Sequence, residues 1–279
     1  MLTSDGGTGA SGPRLFRFVY APEPTGFVEL RVPLGPGPFP VVILIHGGFW
    51  HTPYGLDLMD GLGDDLAGRG IASWNIEYRR VGEPGGGWPG TLIDAARATD
   101  RLADLGLTHR LDLARVITVG HSAGGHLALW LAARRKLPVG ALGVEETTAR
   151  LTGSAALPLI GAISLAGVND LTAGARRNVG LGAVTDLLGG SPDRVPERYA
   201  IADPARLLPL GLPQTLIHGT LDTIVPPDQS RAYATAALAA GDPARLRELP
   251  DADHFDVIDP ATHAWAAIVQ EIAALLALR

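Results

Sequence analysis

Short apolar runs alternate with helical periodicity along most of this chain, and the alternation constrains the fold more than any other feature. The runs are five to seven residues long, and residues 41–45 consist of Val, Ile and Leu without polar interruption. Continuous apolar strands suit a parallel sheet that is covered on both faces. Helices between such strands suit right-handed crossovers. The sequence therefore predicts an α/β fold with a mostly parallel, eight-stranded sheet and helices on both faces.

The first two strands differ from the others, because only a short turn-forming segment at residues 21–24 separates them. They are predicted to form an antiparallel hairpin at a sheet edge. The predicted strands are 14–20, 26–33, 41–45, 72–78, 115–119, 160–165, 214–218 and 245–249. The predicted helices are 56–67, 91–105, 124–135, 228–240 and 262–278. Residues 171–210 interrupt the alternation with Gly, Pro and Arg and contain no predicted strand, so we expect a small lid or pocket wall there.

The length of 279 residues fits one such domain, spanning residues 14–279 behind a disordered Gly/Ser/Thr-rich tail at residues 1–13. The absence of cysteine excludes disulfides, a Cys-liganded zinc site and a cysteine nucleophile. The tail lacks the pattern of a signal peptide, and the apolar runs are far shorter than the ~18 residues of a membrane span. We expect a cytoplasmic protein without a membrane span.

The formal net charge is −6, and the only basic run is Arg134–Lys136, which is interpreted as the solvated end of a helix. Nucleic-acid affinity depends on neutralising phosphates. A nucleic-acid partner is therefore not expected.

A candidate nucleophile lies in the segment Gly-His-Ser-Ala-Gly, with Ser122 between the predicted strand 115–119 and the predicted helix 124–135. A serine on a sharp strand-to-helix turn is held in a strained conformation with its hydroxyl exposed to a cleft. Side chains at Gly120 and Gly124 would collide with the adjacent strand and helix. We expect Ser122 to be a catalytic nucleophile.

A glycine pair follows the strand 41–45 in the segment His-Gly-Gly-Phe-Trp. Acyl transfer develops negative charge on an oxygen, and preorganised N–H donors must face it. We expect the backbone N–H groups of Gly48 and Phe49, together with that of Ala123, to form this oxyanion hole.

The candidate acid and base follow the last two strands. Asp222 lies in the loop after strand 214–218, and His254 lies in the loop after strand 245–249. The order Ser, Asp, His along the chain is the one found where the nucleophile sits on a strand-to-helix turn. We expect Asp222 to orient His254, which activates Ser122 as a general base.

Neighbouring polar residues are assigned lesser roles. The aspartates that flank the base are expected to cap or hydrogen-bond its loop. Three histidines at strand ends are expected to stabilise the loops of the site. No histidine spacing resembles a metal site, so no metal and no cofactor are expected. The aspartates are Asp251, Asp253 and Asp256, and the histidines are His46, His121 and His218.

The predicted pocket wall is aromatic and apolar, formed by Phe49, Trp50, Tyr54, Trp88 and parts of residues 171–188. Apolar pockets hold small acyl or aryl groups with few polar contacts. Asn169 and Asp170 either add polar contacts to substrate or cap the turn that follows them, and the sequence leaves both open.

These segments together resemble α/β-hydrolase esterases of the hormone-sensitive-lipase and bacterial carboxylesterase type. The three motifs HGGFW (46–50), GHSAGGH (120–126) and DHFDVID (253–259) are also similar to those of arylformamidase. The first resemblance implies the α/β-hydrolase fold and a small carboxylic ester as substrate, and the second implies the formamide of N-formylkynurenine. A non-catalytic binding protein on the same fold is a distant alternative, because such a protein would be expected to have lost part of the triad. Homodimerisation through the last helix or the first hairpin stays open.

Overall fold

A computed structural model describes residues 12–143 and 151–278 of the chain. It contains one eight-stranded sheet with the order β1-β2-β4-β3-β5-β6-β7-β8. The strands are β1 Arg14–Val19, β2 Phe27–Val32, β3 Phe39–Ile45, β4 Ala72–Ile76, β5 Leu111–His121, β6 Gly161–Leu165, β7 Gln214–Gly219 and β8 Ala244–Leu249. The pairs β1–β2 and β2–β4 are antiparallel, and all other neighbours are parallel. The predicted α/β class and the antiparallel edge hairpin are confirmed.

Within the described residues, eight α-helices connect and cover the strands. They are α1 Asp60–Gly68, α2 Gly90–Arg101, α3 Ala123–Ala133, α4 Leu171–Arg176, α5 Ala183–Leu188, α6 Pro196–Ala202, α7 Asp228–Ala239 and α8 His263–Leu276. All five predicted helices are present, with ends that differ by a few residues. The largest differences, four residues each, are at the start of α1, where Leu56–Met59 is a 3₁₀-helix, and at the end of α2, where Leu102–Asp104 is a 3₁₀-helix.

Alternate residues of β3 enter two separate hydrophobic cores, which explains why the strand is apolar throughout. Val41, Ile43 and Ile45 pack with residues of α2 and α3 on one face of the sheet. Val42 and Leu44 pack with residues of α1 and α8 on the other face. Successive side chains of a strand point to opposite faces, so a sheet covered on both sides needs apolar residues at every position.

The segment 171–210 contains no strand, as predicted, but it holds the three short helices α4, α5 and α6. Asp203, at the end of α6, accepts hydrogen bonds from the backbone N–H groups of Leu171 (3.0 Å) and Thr172 (2.9 Å) at the start of α4. Helices of six or seven residues give too few apolar repeats to be recognised by periodicity. Movement of this segment as a lid stays a prediction, as does the single-domain assignment; residues 1–11 of the predicted tail lie outside the described residues.

One expectation about surface charge is wrong. Arg134, at the end of α3, is fully buried and not solvated. Its Nη1 donates to Asp100 Oδ2 of α2 at 2.8 Å and to the backbone oxygen of Leu151 at 2.9 Å. A buried guanidinium needs such partners because an unpaired buried charge is costly.

Across the described ranges, no helix combines the length and the apolar character needed to cross a membrane.

Candidate active site

Ser122 lies on the turn between β5 and α3 with a strained backbone. Its φ of 54° and ψ of −116° are rare for a residue with a side chain. Its N–H donates to the backbone oxygen of Leu165 in β6 at 2.8 Å, which ties the turn to the neighbouring strand. A Cβ at Gly120 would lie 1.9 Å from the oxygen of Gly124, and one at Gly124 would lie 2.1 Å from the oxygen of Ile45. The expected need for glycine at both positions is confirmed.

The loop after β3 presents free N–H groups beside Ser122. Gly48, Phe49 and Trp50 all have positive φ, at 107°, 52° and 58°. A Cβ at Gly47 would lie 2.9 Å from Ser122 Cβ, so this loop packs directly against the serine. Among the described residues, the backbone N–H groups of Gly48, Phe49 and Ala123 are not used in any hydrogen bond. Ala123 is the first residue of α3, where an N–H has no partner within the helix.

His46 fixes the direction of this loop. Its Nδ1 lies 2.7 Å from the carbonyl oxygen of Gly47, and its Nε2 lies 2.9 Å from Glu77 Oε1. The carbonyl of Gly47 and the N–H of Gly48 share one peptide plane, so holding the first orients the second. Burial alone would raise the pKa of Glu77, but the hydrogen bond and the charge of His46 lower it below its ordinary value. The ring of Tyr78 stacks on His46 at 4.2 Å.

Asp222 and His254 form a buried hydrogen-bonded pair. Asp222 Oδ2 accepts from His254 Nδ1 at 2.6 Å, and both residues are nearly inaccessible to solvent. Asp222 Oδ1 accepts from the backbone N–H groups of Ile224 at 2.8 Å and Val225 at 2.9 Å. Burial acts to raise the pKa of Asp222, but hydrogen bonds from His218 and His254 lower it far below the ordinary value. The carboxylate is therefore ionised and can stabilise a positive charge on His254.

His121 joins the nucleophile turn to the loop that carries His254. Its Nε2 donates to the backbone oxygen of His254 at 2.9 Å, and the two rings lie 4.6 Å apart. Burial, aided by the charge of His254, lowers the pKa of His121 to about 3, so its ring is neutral. In the described residues, no hydrogen bond joins Ser122 Oγ to His254. Such contacts often tighten only when substrate binds.

The histidines and aspartates expected to stabilise the loops of the site behave largely as predicted. His46, His121 and His218 each hydrogen-bond a loop residue of the site. Asp253 Oδ1 accepts from two backbone N–H groups of its own loop, and Asp256 Oδ2 accepts from the N–H of Asp253 at 2.7 Å.

Two of the predicted pocket residues, Tyr54 and Trp88, are partly open to solvent. Tyr54 packs its ring against Gly48 and is 45% exposed. Trp88 is half-buried, and its N–H donates to the oxygen of Leu187 in α5 at 2.7 Å. The ring of Phe49 packs against Gly180. The segment 171–210 therefore packs against both Trp88 and Phe49, and its role as a pocket wall stays a prediction.

Trp50 and Asn169 correct the predicted pocket. Trp50 is fully buried, and its ring packs edge-on against His126 at 5.3 Å in the core. Asn169 is also fully buried, hydrogen-bonded to Ser164 and Ser230. Neither side chain is accessible to a substrate, so neither expected contact is retained, and the side chain of Asn169 does not cap the following turn. That role belongs to Asp170, which accepts from the N–H of Ala173 at 2.7 Å.

Sequence reasoning missed Glu77. The sequence feature that could have identified it is its place directly after a predominantly buried strand, β4. Ligand sites of parallel sheets lie at the carboxyl ends of the strands. Its Oε2 also accepts from the N–H of Leu56 at 3.0 Å, so it connects β4, the loop after β3 and the segment before α1.

Within residues 12–143 and 151–278, no group of three or more His, Asp or Glu side chains is arranged to hold a metal ion.

Comparisons with known proteins agree with this geometry. The chain is 25% identical over 275 residues to the esterase LipC of Mycobacterium tuberculosis, covering 92% of this chain and 64% of that protein. It is 26% identical over 245 residues to a probable isoprenylcysteine alpha-carbonyl methylesterase, ICMEL1, of Arabidopsis thaliana, covering 86% of this chain and 50% of that protein. The chain thus spans half to two thirds of the length of these curated relatives.

Solved structures share the fold. Esterase B of Lactobacillus rhamnosis superposes with a TM-score of 0.78 at 21% identity, covering 95% of this chain and 86% of that one. The sequence pattern that defines the BD-FAE family matches residues 32–237, which hold the serine turn, the loop after β3 and Asp222. The chain belongs to the BD-FAE family of α/β-hydrolase esterases.

Proposed function

We propose that this protein is a serine esterase that hydrolyses small carboxylic esters through an acyl-enzyme intermediate on Ser122. One observation carries the proposal. The buried Asp222–His254 hydrogen bond of 2.6 Å is tied by His121 to the turn of Ser122, whose backbone is strained and whose neighbouring loop has unpaired N–H groups. A nucleophile, an oriented base and preorganised donors are the groups that acyl transfer requires.

In the proposed reaction, Ser122 Oγ attacks the ester carbonyl while His254 Nε2 takes the hydroxyl proton. The N–H groups of Gly48, Phe49 and Ala123 stabilise the oxyanion, and Asp222 stabilises the imidazolium. The intermediate collapses to an acyl-enzyme, and His254 returns its proton to the departing alcohol. Water then repeats the sequence, which releases the carboxylic acid and restores Ser122.

Exposed apolar side chains around the cleft support an apolar substrate. They lie in the loops that carry or contact the proposed catalytic groups, next to Gly48, Phe49, Asp222 and His254. Exposed apolar surface grouped at one place commonly marks a binding site. The residues are Tyr54, Leu181, Leu221, Ile224 and Phe255.

Hydrolysis of N-formylkynurenine is the second candidate, favoured by the motif resemblance to arylformamidase. Both curated relatives described above are named as esterases, one of them a methylesterase, which favours esters. The two candidates share the same catalytic groups and differ only in the substrate that fits the cleft. Fold similarity alone does not choose between them.

The test is turnover of p-nitrophenyl acetate, p-nitrophenyl butyrate, methyl butyrate and N-formylkynurenine by the wild type and by Ser122→Ala. We expect the short esters to give the highest kcat/KM. Loss of the nucleophile should lower kcat by a factor on the order of 10⁶ with the thermal midpoint retained. A fluorophosphonate probe should label the wild type and not Ser122→Ala. Ester turnover retained in that variant would refute the nucleophile, and selective turnover of N-formylkynurenine would replace esterase with formamidase.

A further inference from the structure

A buried chain of polar side chains runs from Asp222 away from the cleft, and the proposed reaction does not use it. His218 in β7, Ser230 in α7, Asn169 after β6 and Ser164 in β6 are all 0% exposed. Burying four polar groups in one place is costly unless every one is hydrogen-bonded.

Each neighbour in this chain is within hydrogen-bond distance of the next. His218 Nε2 lies 3.1 Å from Asp222 Oδ2, and His218 Nδ1 lies 2.7 Å from Ser230 Oγ. Asn169 Nδ2 donates to Ser230 Oγ at 3.0 Å, and Ser164 Oγ donates to Asn169 Oδ1 at 2.6 Å.

The acceptors around His218 fix the direction of these hydrogen bonds. Its Nε2 faces two oxygens that only accept, Asp222 Oδ2 and the backbone oxygen of Val225 at 2.9 Å, so Nε2 carries the proton. In the neutral ring, Nδ1 then accepts from the Ser230 hydroxyl, whose oxygen accepts from the Asn169 amide. Every group in the chain donates toward Asp222. Hydrogen bonds aligned in one direction strengthen one another.

We propose that His218 is a positioning residue, a neutral imidazole whose Nε2–H orients the carboxylate of Asp222 toward His254 Nδ1, held in this tautomer by Ser230, Asn169 and Ser164. The two oxygens of Asp222 are held differently. Two backbone N–H groups bind Oδ1, whereas Oδ2 is shared by the two imidazoles of His218 and His254. Without His218, only His254 would hold Oδ2, and the alignment of the base would loosen. The inference rests on the proposed role of Asp222 and His254.

A matched pair of amide variants tests this. In His218→Gln the side-chain amide reaches the position of ring Nε2 and can still donate to Asp222. In His218→Asn the amide reaches only the position of Nδ1, so it can bond Ser230 but not Asp222. We expect the Asn variant to lose kcat by about 10- to 100-fold with little change in KM, because small misplacements of a catalytic group have effects of this size. The Gln variant should retain more of the wild-type kcat than the Asn variant.

The pH profile separates positioning from a structural role. Asp222 without the second donor at Oδ2, that of His218, keeps more of its negative charge available to His254, which favours the imidazolium. The acid limb of kcat/KM should therefore move to higher pH in His218→Asn. The titratable groups that face His254 are Asp222 and His121, and His121 stays neutral because its pKa is about 3. If His218 had a purely structural role, the substitution would lower the amount of active enzyme and would not shift the acid limb of the kcat/KM profile.

If both His218 variants fail to fold, Ser230→Ala tests the same chain with a smaller change. It keeps the imidazole and removes the hydroxyl that holds Nδ1, so a weaker loss of kcat in the same direction is expected. Wild-type kcat with an unshifted acid limb in the variant would overturn the proposal.

Long-range ¹H–¹⁵N NMR of the uniformly ¹⁵N-labelled wild type reads the tautomer of His218 without any substrate. A proton on Nε2 alone near neutral pH is expected, with a shifted His254 Nδ1–H signal in Ser230→Ala. A cationic or Nδ1-protonated His218 would refute the inference. An absence of ester turnover by the wild type would instead refute the proposed function, and the NMR result would still stand.

Discussion

At the scale of single residues, backbone conformation determines what the site can do. Ser122, Phe49 and Trp50 all occupy the left-handed half of backbone space, at φ of 54°, 52° and 58°. Such conformations cost on the order of 1–3 kcal/mol for a residue with a side chain. They persist because tertiary contacts hold them, including the hydrogen bond from Ser122 N–H to Leu165 and that from Val81 N–H to the oxygen of Trp50 at 2.7 Å.

Gly48→Ala should impair the proposed oxyanion hole. The added Cβ would lie 2.5 Å from Tyr54 Cβ, so the loop must shift and its N–H groups must move. We expect kcat to fall by about 10²- to 10³-fold, the usual effect of losing one oxyanion donor. Steady-state kinetics with p-nitrophenyl butyrate measures this.

Gly35→Ala is the matched control, because Gly35 also has a left-handed φ of 115° but has no atom within 4 Å of the added Cβ. It should carry a similar conformational cost and keep its kcat. Wild-type kcat in Gly48→Ala would count against an oxyanion role for this loop.

At the scale of elements, buried polar contacts join helices and strands that are distant in sequence. Arg134, directly after α3, pairs with Asp100 of α2, and the indole N–H of Trp265 in α8 donates to Asp65 of α1 at 2.7 Å. Asp100 also accepts from the N–H of Leu157 at 2.9 Å. These contacts fix how the helices pack around the sheet and thereby fix the strand ends that carry the site.

Asp100→Ala should destabilise the fold strongly. It leaves the fully buried guanidinium of Arg134 without its carboxylate, and breaking a buried pair in this way costs about 3–5 kcal/mol. Equilibrium unfolding in urea would give the change in the free energy of unfolding.

Asp104→Ala is the matched control, since it removes the largely exposed pair with Arg101. A change of about 0–1 kcal/mol is expected there. Equal effects in the two variants would mean that Arg134 finds another partner when Asp100 is removed.

At the scale of the whole molecule, two buried neutral histidines make the fold sensitive to acid. Burial, together with the charge of His254, lowers the pKa of His121 to about 3, and burial lowers that of His126 to about 4. The unfolded chain protonates both near pH 6.5, so between pH ~4 and ~6.5 the unfolded state binds more protons than the folded state. Each of these two histidines therefore makes the fold less stable as the pH falls through this window, and Asp203, whose pKa burial raises to about 6, partly opposes them.

The expected slope is about 1.4 kcal/mol per pH unit for each of these histidines in the lower part of the window. Urea unfolding at a series of pH values would measure it. His126→Gln should remove the contribution of one histidine to the slope, because the amide does not titrate. The variant should still fold, since the amide can donate to the backbone oxygen of Ala202, which lies 2.9 Å from His126 Nε2. An unchanged slope in His126→Gln would show that this ring is not buried and neutral in the folded state.

Much of this molecule was predictable because it depends on local pattern. The parallel sheet follows from apolar runs that must be buried on both faces, and the edge hairpin follows from one short turn. The sharp turn at Ser122 follows from glycines that the adjacent strand and helix require. Homodimerisation and a cytoplasmic location stay predictions.

The sequence by itself determined the fold class and the order of Ser122, Asp222 and His254, because strand and helix periods and turn glycines are local properties. Only the tertiary structure decided which polar and aromatic side chains face the cleft. Trp50 and Asn169 lie in segments of the site, yet contacts with residues distant in the sequence bury both. The hydrogen-bond chain behind Asp222 likewise joins three elements, and Arg134 is buried because Asp100 faces it. Burial and hydrogen-bond partners depend on which distant elements meet, and no local pattern encodes that.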